Sequence, residues 1–117
     1  MSVVNYTAEE VKQKLDAGEA VLIDVREPHE FMNERIPGAL LFPLSTFDPK
    51  ALPDDGAKEV ILHCGIGQRS NMAGMAALEN DRPAIAHLAT GLKGWKFAGY
   101  PTIKTDPATG KPYLEQG

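Results

Sequence analysis

The sequence has a single cysteine, Cys64, and therefore no intrachain disulfide. That excludes a stapled fold, and a four-ligand zinc cage would need His29, His63, His87 and carboxylates at no recognisable spacing. Neither a metal nor a cofactor is called for. Long apolar runs are missing too: no window approaches the ~18 residues of a membrane span. The opening MSVVNYTAEEVKQK lacks the basic head and apolar stretch of a secretory signal. No membrane partner is expected, and the expected compartment is the cytoplasm. Lysine and arginine form no block and the net charge is −4, which argues against nucleic acid as partner. An anion bound here must be attracted by local dipoles. What is present is ordinary globular composition, 43% hydrophobic and 24% charged over 117 residues, enough for one domain with its own core.

Helix and strand signals alternate along the chain. Thr7 and Glu10 make a capping box, Val11 and Leu15 share one face, and Gly18 closes a helix of roughly three turns. AVLIDV, residues 20–25, is too short and too β-branched for a helix and reads as a strand covered on both faces. A short helix is predicted from Pro28 to Glu34, ended by Pro37-Gly38, and a second strand over 40–44, stopped at Pro43. After a polar, turn-rich segment, VILHC is a third buried strand; AIAHL, 84–88, is a fourth. Between them, Met72, Met75, Ala76 and Glu79 fall at helical spacing, with Ser70 as the expected cap, and GLKGWKFAG is a short helix bracketed by glycines. This alternation predicts an α/β fold: a mainly parallel central sheet of four to five short strands with helices on both faces. Residues 1–102 are assigned to the domain. Residues 103–117, with Pro107, Gly110 and Pro112 and no periodicity, are assigned to an extension that hugs the surface or frays.

The chemistry concentrates in CGIGQRS, residues 64–70. Between a buried strand and a helix, Gly65, Ile66, Gly67, Gln68 and Arg69 must turn the chain quickly. The glycines accept positive φ, so backbone N–H groups can converge on one point. Cys64 would then lie in a nest of donors at a helix N-terminus, which lowers a thiol pKa and steadies an anion on the sulfur. Arg69 adds a forked cation for oxyanions. An inert core cysteine would gain nothing from such a loop. Four residues separate Cys64 from Arg69. The cysteine-dependent phosphatases are similar in having a His-Cys pair before the loop, as His63-Cys64 does, but place five residues between cysteine and arginine. The shorter cradle suits one added sulfur atom better than a phosphate.

These residues resemble the rhodanese family of sulfurtransferases, over about Tyr6 to Thr102. LIDVREPHEFMNERIPGALLFPL, 22–44, is similar to the family's amino-proximal signature, CGIGQRS to its active-site loop, and GLKGWKFAGYPT, 91–102, to its carboxyl-proximal signature. The resemblance implies a double displacement through a Cys64 persulfide, cradled by Gly65, Ile66, Gly67, Gln68, Arg69 and Ser70. Arg69 would meet the donor anion, and no histidine base is needed if the thiolate predominates. It also implies as partners a small sulfur-donor anion and a thiol or protein acceptor, in a monomer or weak homodimer.

Asp24 and Arg26 are expected to form a structural ion pair at the floor of the site, Trp95 to pack in the core, and His63 to point away from Cys64. Arg35 and Thr90 depart from the family's usual histidine and glycine. Gly65 fills a position that is often bulky or basic, leaving one charge in the loop and favouring a persulfide or polysulfide donor over thiosulfate. Two other readings compete with an active sulfurtransferase: a sulfur-carrying or regulatory module with little turnover, and a phosphatase or arsenate reductase on the same fold.

Overall fold

The capping box forms as its spacing requires. Thr7 Oγ1 accepts from the Glu10 N–H at 3.1 Å and the Glu10 carboxylate accepts from the Thr7 N–H at 3.0 Å. It opens helix α1 (Ala8–Asp16) in the computed structural model, which describes residues 2–54 and 56–116. The remaining helices are α2 (Pro28–Asn33), α3 (Gln68–Glu79) and α4 (Gly91–Phe97). The strands are β1 (Val4–Tyr6), β2 (Ala20–Asp24), β3 (Glu34–Arg35), β4 (Leu40–Leu41), β5 (Glu59–His63), β6 (Ala86–Leu88), β7 (Thr102–Thr105) and β8 (Pro112–Glu115).

Five strands form a parallel sheet in the order β1-β6-β5-β2-β4. Period-two alternation sends successive side chains of the central strands to opposite faces. Leu22 and Ile61 join the cluster under α1 and α4, with Val11, Leu92 and Trp95, whereas Ile23, Val60 and Leu62 join the one under α3, with Ala73, Ala77 and Leu78. Helices therefore cover both faces, and α/β is the fold. Trp95 is a core residue, 2% exposed, its Nε1 donating to the Pro101 carbonyl at 2.8 Å.

Two features differ from the sequence reading. Strand β1 lies at the sheet edge on β6, in a segment with too few residues before the capping box to show a period. The chain beyond residue 102 does not fray among its described residues. Strand β7 pairs antiparallel with β3 and with β8, making a second, three-stranded sheet. Its anchor is polar. Glu34, buried, accepts from the Thr102 hydroxyl at 2.6 Å and from Lys96 Nζ at 3.0 Å, and its backbone carbonyl accepts from Arg26 at 2.6 Å. Strand β8 is exposed throughout, so it carries no alternation by which a sequence pattern could reveal it. Among the described residues, no helix is long and apolar enough to cross a membrane.

Candidate active site

The order of the strands places the site. Strands β2 and β5 are neighbours, yet the chain leaves β2 toward β4 and leaves β5 toward β6, on opposite sides. Such a reversal opens a crevice beyond the carboxyl ends of the strands, where ligands of open parallel sheets sit. Cys64 is the first residue after β5, at this switch point.

The loop after Cys64 turns back on the sulfur. Sγ accepts from the Gly67 N–H at 3.2 Å and the Ser70 N–H at 3.3 Å, and the Ser70 hydroxyl lies 3.5 Å away. Burial alone would raise the thiol pKa. The Ser70 hydroxyl and N–H, with the N–H groups of Gly67 and Ile66, outweigh it and hold Cys64 below its ordinary value. The nest depends on two close backbone approaches. Gly67 has φ 103°, and a Cβ there would lie 2.1 Å from the Ala89 carbonyl oxygen. Gly91 receives the loop from below: the Leu92 N–H donates to the Cys64 carbonyl at 2.9 Å, and a Cβ on Gly91 would lie 2.4 Å from the Gly65 oxygen.

Gly67, and not Ser70, is the N-cap of α3, because entry into the helix requires a positive φ. Ser70 lies inside the first turn. Freed from capping, its hydroxyl lies 2.8 Å from His87 Nδ1.

Arg69 also departs from its expected place. It lies on α3, and its guanidinium grips Glu30 of α2 through Nη1–Oε1 at 2.7 Å and Nη2–Oε2 at 3.0 Å. The Arg69 hydrogen bond is the largest influence on Glu30 and, against burial, holds its carboxyl at about 2. The guanidinium crosses over Gly65, where an added Cβ would meet Nη2 at 3.4 Å. Ile66 and Gln68 are exposed at the mouth of the loop.

Asp24 and Arg26 lie at the end of β2, with side-chain exposures of 0% and 5%, joined by Nη2–Oδ2 at 2.8 Å. Burial would raise the Asp24 pKa, but His63 and Arg26 together drive it well below the carboxylate range. His63 faces this pair and not the sulfur: Nε2 is 3.4 Å from Asp24 Oδ2, and Nδ1 is 3.1 Å from the Cys64 carbonyl. Arg35 stacks its guanidinium over Phe31 at 5.3 Å, and Thr90 fills the space that a Cβ on Gly94 would need.

A rhodanese-like domain model matches residues 7–98. The chain belongs to the rhodanese-like domain family. It is 38% identical over 108 residues to an uncharacterized protein of Synechocystis, covering 92% of this chain and 59% of that one. It is 26% identical over 97 residues to a sulfurtransferase of Allochromatium vinosum, covering 82% of this chain and 91% of the relative. A rhodanese-related protein of Thermoplasma volcanium superposes with a TM-score of 0.71 at 24% identity, over 88% of this chain and 98% of that structure. The human single-domain sulfurtransferase gives 0.67 at 24%, over 83% and 96%. These two structures show the shared fold. The chain spans about half the length of several curated relatives that it matches. Family and relatives support a role of the sulfurtransferase type.

Sequence reasoning missed Glu30 and the pair Asn5 and His87. Glu30 stands within the amino-proximal signature, but its link to Arg69 spans 39 positions and leaves no local mark. His87 did leave a signal: it is the one polar residue in the apolar run AIAHL.

Proposed function

We propose that this rhodanese-like domain is a sulfurtransferase in which Cys64 carries sulfane sulfur as a persulfide. The observation that supports the reading is the convergence of the Gly67 and Ser70 N–H groups on Sγ at 3.2 and 3.3 Å. The thiolate attacks the outer sulfur of the donor; a new S–S bond forms as the donor's own sulfur–sulfur bond breaks. With thiosulfate, sulfite leaves with the bonding pair. The charge that was on Sγ now lies on the outer sulfur, where the loop's remaining donors and the helix N-terminus stabilise it. A thiol, or cyanide in the assay, then attacks the outer sulfur and Cys64 leaves as thiolate.

The test is intact mass after thiosulfate alone, followed by thiocyanate on adding cyanide. One added sulfur, about +32 Da, and thiocyanate are expected, and protein alkylated beforehand at Cys64 should give neither. Sulfur gain without turnover would replace the enzyme reading with the carrier module. No gain from thiosulfate or from polysulfide would defeat both.

The Glu30 clamp bears on donor choice. A guanidinium already satisfied by a carboxylate offers little to a doubly charged donor, which supports a persulfide or polysulfide as the better substrate. Glu30→Gln should lower the KM for thiosulfate roughly two- to fivefold, the range of a partly exposed ion pair. A polysulfide KM should move less. Because Glu30 protonates only at about 2, the wild type keeps the clamp across the working pH range. An unchanged thiosulfate KM in Glu30→Gln would remove the clamp from the account of specificity.

A further inference from the structure

His87 is nearly buried, at 4% exposure, in the middle of the polar chain Asn5–His87–Ser70–Cys64. Asn5 Oδ1 lies 2.8 Å from Nε2, and a carboxamide oxygen only accepts, so Nε2 carries a hydrogen. In the neutral ring Nδ1 is then a bare lone pair, 2.8 Å from Ser70 Oγ. The hydroxyl has one hydrogen and three neighbours able to take it: Nδ1 at 2.8 Å, the Gly67 carbonyl at 3.3 Å and Sγ at 3.5 Å.

Two arrangements couple the sulfur to the ring through this hydroxyl. While His87 is neutral, Ser70 donates to Nδ1 and the Cys64 thiol donates to Oγ. When Cys64 is a thiolate, Ser70 donates to the sulfur, and only an Nδ1 that carries a proton satisfies the other side of the hydroxyl. We propose that His87 is the proton acceptor for Cys64: the thiol proton reaches Nδ1 through the Ser70 hydroxyl, so that thiolate and imidazolium form together. The S–H bond breaks as an O–H bond forms on Ser70, and the hydroxyl's original O–H bond breaks as N–H forms on His87. Net charge and proton count of the three groups are unchanged. The proposal rests on Cys64 being the nucleophile. His87 takes part in this proton transfer but touches neither Sγ nor the donor sulfur, acting on Cys64 only through Ser70.

The surroundings of the ring support the coupling. From β1 it meets Asn5, from α3 Ser70, and from the turn just after β5, whose Leu62 is its register partner, it meets Cys64 across the hydroxyl. Burial lowers the imidazole's pKa, so the ring has little reason to charge alone. A thiolate beyond the hydroxyl supplies one. Conversely, the imidazolium favours thiolate, in addition to the backbone donors.

The test follows each partner as the other is removed. Nitrogen-15 NMR of the imidazole in wild type and Cys64→Ala should show His87 losing its second proton about one pH unit lower in the variant. In Cys64→Ala at high pH the neutral ring should carry its hydrogen on Nε2. In His87→Gln the ultraviolet absorbance of the thiolate should appear about one pH unit higher than in wild type, a roughly tenfold smaller thiolate fraction at a given pH. Coincident His87 titrations in the first pair, or a neutral ring protonated at Nδ1, would overturn the relay. So would an unmoved thiolate midpoint in a folded His87→Gln. The NMR arm needs no His87 variant and stays decisive if that variant misfolds. Neither arm uses sulfur transfer, so a failed thiocyanate assay and a failed relay are read separately.

Discussion

Asp24→Ala is expected to destabilise the protein by about 3–5 kcal/mol, the cost of breaking a buried ion pair from one side. The carboxylate is fully buried and meets Arg26 through Oδ1 and Oδ2, at 2.8–3.1 Å, and accepts the Arg26 backbone N–H at 2.9 Å. Removing it strands the guanidinium of a buried arginine, with the Glu34 carbonyl as its other hydrogen-bond partner among the described residues. The expected fall in Tm is roughly 10 °C or more for a domain of this size. Urea unfolding of Asp24→Ala and of the double variant Asp24→Ala/Arg26→Met separates the contributions. The double variant should recover part of the loss, because no orphan charge is left behind. A single-variant loss below about 1 kcal/mol would put the pair in the class of surface salt bridges. The pH dependence has a definite sign. The folded pKa of Asp24 lies below its unfolded value, near 3.9. Its contribution is thus complete above that value and is lost as pH falls through the lower, folded one.

Gly67→Ala should lower sulfur transfer by roughly 10²-fold or more, the loss seen when one preorganised donor to a reacting anion is removed. Its φ of 103° costs an L residue about 1–2 kcal/mol, and the new Cβ would lie 2.1 Å from the Ala89 backbone oxygen. Backbone cannot yield as a flexible side chain can, so the loop must shift. The Gly67 N–H then moves off Sγ and the first turn of α3 moves with it. The rate of thiocyanate formation from thiosulfate and cyanide, run beside circular dichroism, is the measurement. A folded Gly67→Ala protein with wild-type turnover would show that the nest is not what activates Cys64.

Much of this molecule was legible from local pattern. Thr7 and Glu10, the runs at 20–25 and 60–64, and the glycines around Cys64 act over a few residues, and the structure places their elements where period and capping rules require. The same local reading put the cap at Ser70. A serine before a helical period is a common cap, but the close approach of Ala89 at Gly67 belongs to another segment. The second sheet was illegible for a similar reason: β7 pairs with Glu34–Arg35, nearly seventy positions away, and is held through a buried carboxylate with no apolar stripe to mark it.

By itself the sequence determined the α/β alternation, the three rhodanese-like signatures and a cysteine set in a donor-rich turn, because each depends on neighbours along the chain. Tertiary structure alone decided who faces whom. It gave Arg69 to Glu30, turned His63 toward Asp24, and put Asn5, His87, Ser70 and Cys64 in one line. Parallel strands bring together residues far apart in the chain, and hydrogen bonds and charges act through space, so only the packed sheet could assign these partners.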